Sequence, residues 1–309
     1  MLHDCRALDM AKNAVEDAGP DAYYQVADAC AAPGSKTTHL AALIHEQTVL
    51  KGMERGTWER QERLFATDKD SQRLELLKMM LGRAGALGCA SACGRDFLSI
   101  SMKDRAIAGI THLLVDPSCS GSGIVNRLDA LLDATTAGGR PGEKKRLVQL
   151  SRFQFKIVCA ALKFPNVQRV VYSTCSIHEI ENERVVESVL AHNPDFELAE
   201  VLPSWPHRGH VSAGLPNGNL CVRASPDDFT NGFFVSCFKR KAPGAAGTEV
   251  AASEPSVINE QVAASAGAEE TVLGKRVAGE GAGGKGAAKK KRKRKKRKAG
   301  GATAAGSTE

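Results

Sequence analysis

From about residue 26 to residue 238, short apolar runs alternate with longer segments whose apolar residues recur at helical spacing. The runs are QVADAC, RLFATD, a weaker GCASAC, HLLVD, RVVYSTC and GFFVSCF. Between them lie THLAALI, RLELLKMMLGRAG, an amphipathic stretch over Leu147–Leu162, and EIENERVVESVLA. Strand-length runs separated by helical segments predict an α/β fold with a mostly parallel, doubly wound sheet. Ligands in such sheets sit outside the carboxyl ends of the strands, and five of the six runs end in Asp or Cys. Acids also end strands simply as turn or capping residues. Two segments read as loops: Glu46–Gln61, with Gly52 and Gly56, and Thr135–Lys145, TTAGGRPGEKK.

Beyond Lys241 the pattern stops. Residues 241–309 are rich in Ala, Gly, Ser and Glu, contain no aromatic residue, and are expected to be disordered because they cannot bury a core. They include KKKRKRKKRK at 289–298. The whole chain carries +7, so these ten cations leave the remainder with a net −3, and residues 1–240 balance 28 cations against 28 acids. Basicity therefore belongs to the tail, which reads first as a nuclear or nucleolar address with affinity for RNA and otherwise as a solubilising charged tail. Any nucleic acid bound by the globular part must meet a local patch.

The 309 residues, 42% hydrophobic, divide into a short N-terminal segment, 1–25, a globular domain, 26–240, and the tail. The nine cysteines lack the close pairing of a disulfide framework or zinc site, which points to reduced intracellular thiols and no metal. No long apolar run or signal-peptide core occurs, so neither membrane spanning nor secretion is expected.

DACAAPGSKT, residues 28–37, follows a strand and opens a helix. Its small residues and Gly34 let backbone approach a ligand, and the helix N-terminus offers free amides. It is neither a phosphate loop nor a G-x-G-x-x-G fingerprint, but its context suggests a nucleotide-like cofactor. Asp68 ends the second strand, where an acid commonly accepts from ribose hydroxyls; Arg73 follows on the next helix. Asp96, in GRDF, comes after the third strand, where it could receive an adenine amino group. Each acid alone reads equally well as a helix cap. DPSCSGSG, residues 116–123, places Asp116 and Cys119 after the fourth strand, and VVYSTCS places Cys175 after the fifth. Either cysteine alone reads as a small buried hydrophobe; two thiols and an acid at neighbouring strand ends read as covalent chemistry.

DACAAPGSKT, FATDKDSQR, GRDF, DPSCSGSG and YSTCSIHEIENE resemble, in order, the motifs of the Nop/Sun family of RNA cytosine-5 methyltransferases. WPHRG at 205–209, RASP at 223–226 and GFFV at 232–235 resemble the branch that modifies large-subunit rRNA. The resemblance covers about residues 26–238 and implies a class I, Rossmann-like, seven-stranded sheet and S-adenosylmethionine as cofactor. It also implies that Cys175 is the nucleophile adding to cytosine carbon 6, that Asp116 recognises and stabilises the cytosine, and that Cys119 releases the product. Cofactor contacts would come from Cys30, Ala31, Ala32, Pro33, Gly34, Ser35, Lys36, Asp68, Arg73, Asp96 and Asp116. Expected partners are rRNA, pre-ribosomal particles and nuclear import receptors, with no membrane; the expected location is the nucleus and its nucleolus.

One departure from the family lies at the front. Members carry a long RNA-binding N-terminal region, whereas 27 residues precede Asp28. The expectation is a truncated isoform or an incomplete gene model, and the competing reading is a non-catalytic ribosome-assembly protein that retains the fold. A DNA cytosine methyltransferase is disfavoured because Ser118 separates Pro117 from Cys119. Amino-group methyltransferases are disfavoured because no proline-aromatic pair follows Asp116.

Overall fold

A computed structural model describes residues 25–50, 63–104, 107–124 and 142–242 of the chain. Eight strands form one sheet: β1 (Gln25–Asp28), β2 (Leu64–Thr67), β3 (Ala90–Cys93), β4 (Ile110–Val115), β5 (Arg169–Thr174), β6 (Phe196–Ala199), β7 (Val222–Ala224) and β8 (Phe233–Arg240). Four α-helices accompany them among the described residues: α1 (Ser35–Leu50), α2 (Ser71–Arg83), α3 (Glu143–Leu162) and α4 (Glu183–His192).

The main path of the sheet has seven strands, ordered β3-β2-β1-β4-β5-β8-β6. The eighth, β7, pairs with β8 off that path, which corrects the expected count of seven. β1 to β5 pair in parallel, while β8 runs antiparallel to β5, β6 and β7. FELA and VRA, which form β6 and β7, escape detection because a charged residue, Glu197 or Arg223, interrupts each short apolar run. Strand order reverses between β1 and β4, and that switch point opens a crevice at their carboxyl ends.

Both faces of the sheet are covered, which is why its central strands read as continuous apolar runs. On one face Leu40, Ile44, Leu77 and Leu81 of α1 and α2 pack over Val26, Leu64 and Leu114. On the other, Ile157, Val158 and Ala161 of α3 and Val185 and Val189 of α4 pack over Leu113, Val115 and Val170. In α3 the buried positions Ser151, Gln154, Ile157, Val158, Ala161 and Leu162 follow the helical repeat; Ser151 Oγ donates to Val148 O within the helix, and the use of Gln154 appears below. Each fully buried leucine contributes about 1.5–3 kcal/mol by transfer alone.

Two expected loops are corrected at their edges. α1 runs to Leu50 because no glycine or proline precedes Gly52; the rest of that segment, 51–62, lies outside the described residues. α3 begins at Glu143, directly after Gly142 at φ +89°, so the end of the expected Thr135–Lys145 loop is helical; residues 135–141 lie outside the described residues. The tail beyond Ala242, with its cationic block, and the segment before Gln25 lie outside them as well. No helix among the described residues is long and apolar enough to cross a membrane.

Candidate active site

The first wall of the crevice is the turn from β1 into α1. Asp28, almost fully buried, accepts from Cys30 N at 3.3 Å and from Thr37 Oγ1 at 2.8 Å, closing the loop across nine residues. Thr67 Oγ1 on β2 donates to Ala29 O at 3.1 Å, and Arg73 Nη2 on α2 donates to Ala32 O at 2.6 Å. Gly34 stands at φ +111°, a conformation glycine adopts without strain, and a Cβ there would lie 3.0 Å from Leu77 Cδ1. Burial is the main force pushing the Asp28 carboxyl up to about 6; the Thr37 hydroxyl and Lys36 ammonium oppose it.

A cleft of about 280 Å³ is lined by Cys30 to Pro33, Ser35, Lys36 and Arg73 on one side and by Asp116 to Gly121 and Cys175 on the other. A smaller arm of about 80 Å³ continues past Cys30, Arg73 and Asp116 to Asp68, Asp96, Phe97 and Ile157. Every predicted cofactor residue except Gly34 therefore lines this connected crevice; Gly34 lies under the loop against α2. Asp68 accepts from Asp70 N at 3.0 Å and pairs with Arg73 Nη2 at 3.2 Å. Asp96 also caps the 3-10 turn Phe97–Ser99, accepting from Leu98 N at 3.0 Å, so the capping and lining readings both hold for it. Acids at one end, an aromatic and an aliphatic floor, and the paired Lys36 and Asp116 at the other suit an elongated nucleoside bearing a charged tail.

The second wall comes from β4 and β5, which pair in parallel from His112–Arg169 to Val115–Tyr172 and so deliver their terminal loops side by side. Cys119 and Cys175 meet there with sulfurs 3.0 Å apart. Both are free thiols, as are all eight cysteines among the described residues. Asp116, at the end of β4, forms an ion pair with Lys36 and accepts from Ser173 Oγ at 2.6 Å. The hydrogen bond from Cys119 lowers the Cys175 thiol from 9.0 to about 7, with burial and Asp116 opposing and Lys36 assisting. Cys119 is raised by the same bond and then by burial, and Cys30, the third thiol of the crevice, is raised chiefly by burial. The pair thus resolves into a proton donor, Cys119, and a sulfur close to ionisation at neutral pH, Cys175.

Sequence reasoning missed what holds the two thiol loops. Glu181, fully buried, accepts from Ser120 N and Gln154 Nε2 at 2.9 Å and from Ser176 Oγ at 2.6 Å, so one side chain fixes both loops to α3. Asn182 accepts from Thr174 Oγ1 at 2.6 Å and donates to Ser176 O at 2.9 Å. Glu183 takes a two-pronged contact from Arg223 at 2.7 and 2.6 Å. Burial alone would raise its carboxyl, but Arg223 and the His210 amide outweigh that and lower it. Gly123 N donates to Cys175 O at 3.0 Å and Gly232 N to Gly123 O at 2.7 Å; a Cβ on Gly123 would lie 2.2 Å from Gly232 O. The polar residues Gln154 and Glu181 inside apolar-periodic helical stretches were the available signal, since a buried polar group demands partners.

A β3-β2-β1-β4-β5-β8-β6 sheet with a nucleoside-shaped crevice at its switch point defines a Rossmann-like methyltransferase fold. The comparisons narrow this. Residues 19–239 match the family described as 16S rRNA methyltransferase RsmB/F, and the chain belongs to that family. It is 42% identical over 217 residues to the "28S rRNA (cytosine-C(5))-methyltransferase" of Mus musculus, a match that covers 70% of this chain and 42% of that protein. To the "26S rRNA (cytosine-C(5))-methyltransferase nsun-5" of Caenorhabditis elegans it is 40% identical over 221 residues, covering 70% and 45%. The chain thus spans less than half the length of these relatives. In fold it is similar to NSun6 from Pyrococcus horikoshii with SFG, with a TM-score of 0.50, 22% identity, and coverage of 77% and 52% of the two chains.

Proposed function

We propose that the chain is an S-adenosylmethionine-dependent RNA cytosine-5 methyltransferase acting on large-subunit rRNA. The observation that carries this reading is the pair of free thiols, 3.0 Å apart, beside an acid at the switch point of the sheet. The family membership and the names of the rRNA-modifying relatives support it. Cytosine carbon 5 is a poor nucleophile until a thiolate adds to carbon 6, and Cys175 is the thiol lowered to about 7. Its sulfur forms the bond to carbon 6 while Asp116 hydrogen-bonds the cytosine edge and stabilises the ring as it gains a proton. S-adenosylmethionine supplies the electrophilic methyl group. A base, water in the open cleft, takes the proton from carbon 5, the electron pair of the carbon–sulfur bond returns to the Cys175 sulfur, and Cys119, whose thiol hydrogen-bonds that sulfur, assists the release.

The residues lining the crevice fit the cofactor. The loop from Cys30 to Lys36 and Arg73 would hold it, with Asp68 available to its ribose hydroxyls, Asp96 to its base and Asp116 to the end nearest the thiols. Residues 26–240 act as the transferase domain, and the ten cations of the tail offer a contact for rRNA and import receptors, consistent with work in the nucleus, its nucleolus and pre-ribosomal particles. A target base must leave its stack to reach Cys175, which favours an unpaired rRNA segment.

Incubation with methyl-labelled cofactor and large-subunit rRNA fragments tests the reading, which expects label on cytosine carbon 5. Cofactor binding without label transfer would favour the non-catalytic assembly protein, and failure to bind cofactor by calorimetry would overturn the enzyme reading.

A further inference from the structure

The crevice cations differ in their pairing. Lys36 is matched by Asp116 and Arg73 by Asp68, but Arg146, which lines the same cleft as Cys119 and Cys175, has no acid partner among the described residues. It is exposed and sits in the first turn of α3, where the positive end of the helix disfavours a cation. Helix stability therefore does not explain it. An anionic group entering the cleft does.

The loop after β7 carries a second misfit. Phe229 is fully exposed and holds φ +56°, a conformation that costs a bulky residue energy. Its loop is held in place: Ser225 and Asp228 form a reciprocal cap, and His207 Nδ1 lies 2.5 Å from Asp228 Oδ1. Three residues on, Gly232 donates to Gly123 O, and Gly123 donates to Cys175 O. Beside this junction Ile177 is also exposed, although its N–H donates to Ser122 Oγ at 3.1 Å and its carbonyl accepts from Arg223 Nη1 at 3.0 Å. Apolar side chains are thus presented to solvent on loops tied to that of the nucleophile: Ile177 two residues after Cys175, and Phe229 three residues before the glycine that bonds Gly123. Single-stranded nucleic acid is gripped by this combination of a backbone-tracking cation and an aromatic stacking face.

We infer that Arg146 and Phe229 are two grips for a single-stranded RNA segment at the mouth of the crevice, Arg146 taking a backbone phosphate and Phe229 the face of an unpaired base flanking the target cytosine. The inference rests on the RNA-modifying reading above. The ten cations at 289–298 offer phosphate contacts of their own, so the readout must report the crevice alone. Protection of Cys175 from iodoacetamide by a single-stranded oligoribonucleotide of about 12 nucleotides with one central cytosine does so, in the full chain without cofactor. Relative to wild type, Phe229→Ala raises the half-protecting RNA concentration by about 5- to 50-fold, Phe229→Trp restores it and Phe229→Leu does not. Arg146→Ala raises it several-fold and flattens its dependence on log salt by about 0.7, the share of one phosphate contact, while Arg146→Lys keeps the slope. Cofactor affinity by calorimetry stays at the wild-type value in every variant, which also shows that the crevice is folded. Wild-type protection in both Arg146→Ala and Phe229→Ala overturns the inference alone, as does a loss confined to cofactor binding. Absence of protection in the wild-type chain overturns the RNA-modifying reading along with it.

Discussion

The two walls of the crevice are built differently. The β1–α1 wall is closed by bonds between near neighbours, Asp28 to Cys30 and Asp28 to Thr37, with single ties from Thr67 and Arg73. The thiol wall is assembled across the fold: Ser120 and Gln154 converge on Glu181, and Gly123 is clamped by Gly232. A cofactor loop needs a fixed shape, which a short sequence can encode for itself. A nucleophile and its release partner on separate strands need a common brace, and that brace must come from elsewhere in the chain.

If this contrast is right, damage to the brace separates the two walls. Glu181→Gln leaves a single acceptor oxygen where three donors point, so about 1–3 kcal/mol is lost for each donor left unsatisfied. Methyl transfer should fall by about 100-fold, as expected when a reacting group is misplaced by about 1 Å. Cofactor affinity, measured by calorimetry, should stay within about 2-fold, since no bond to Glu181 comes from the cofactor wall. A parallel collapse of cofactor binding would erase the distinction between the walls.

A smaller effect comes from the local wall. Burial raises the Asp28 carboxyl from 3.8 to about 6, so between those values the folded chain holds a proton that the unfolded chain has released. Stability therefore falls as pH rises through this window, and above it the deficit is about 3 kcal/mol. Asp28→Asn should recover up to that amount at pH 7 and remove the fall between pH 4 and 6 in urea melts. A destabilised variant with the wild-type profile would mean that the charge is needed for the loop's shape.

The mildest test concerns a rate profile. Alkylation of Cys175, followed on its peptide by mass spectrometry, should rise with a midpoint near pH 7. In Cys119→Ala the midpoint should climb toward the ordinary thiol value of about 8.5, because the hydrogen bond that favours the thiolate is gone. An unmoved midpoint would assign the lowering to Lys36 instead.

The same division sets what could be read from the chain. DACAAPGSKT announces its turn because Asp28, Gly34 and Thr37 act within ten residues, and the apolar runs announce β4 and β5 as buried neighbours. Placing Cys119 beside Cys175 then followed from topology, and the crevice does unite them. Glu181 was hidden inside a helical stretch, where an acid at that spacing reads as solvated. Gly123 was visible as a glycine, but its reason, Gly232 more than a hundred residues later, is a close approach that no local pattern carries. β6 and β7 are short because they complete the sheet through pairing with β8 rather than through their own periodicity.

The central claim is the division of labour between the two thiols. Wild type, Cys175→Ala and Cys119→Ala should each be incubated with rRNA fragments and cofactor and resolved on denaturing gels for covalent protein–RNA adducts. The account predicts an adduct that accumulates in Cys119→Ala and is absent from Cys175→Ala. The reverse pattern, an adduct that survives in Cys175→Ala and is lost in Cys119→Ala, would contradict it.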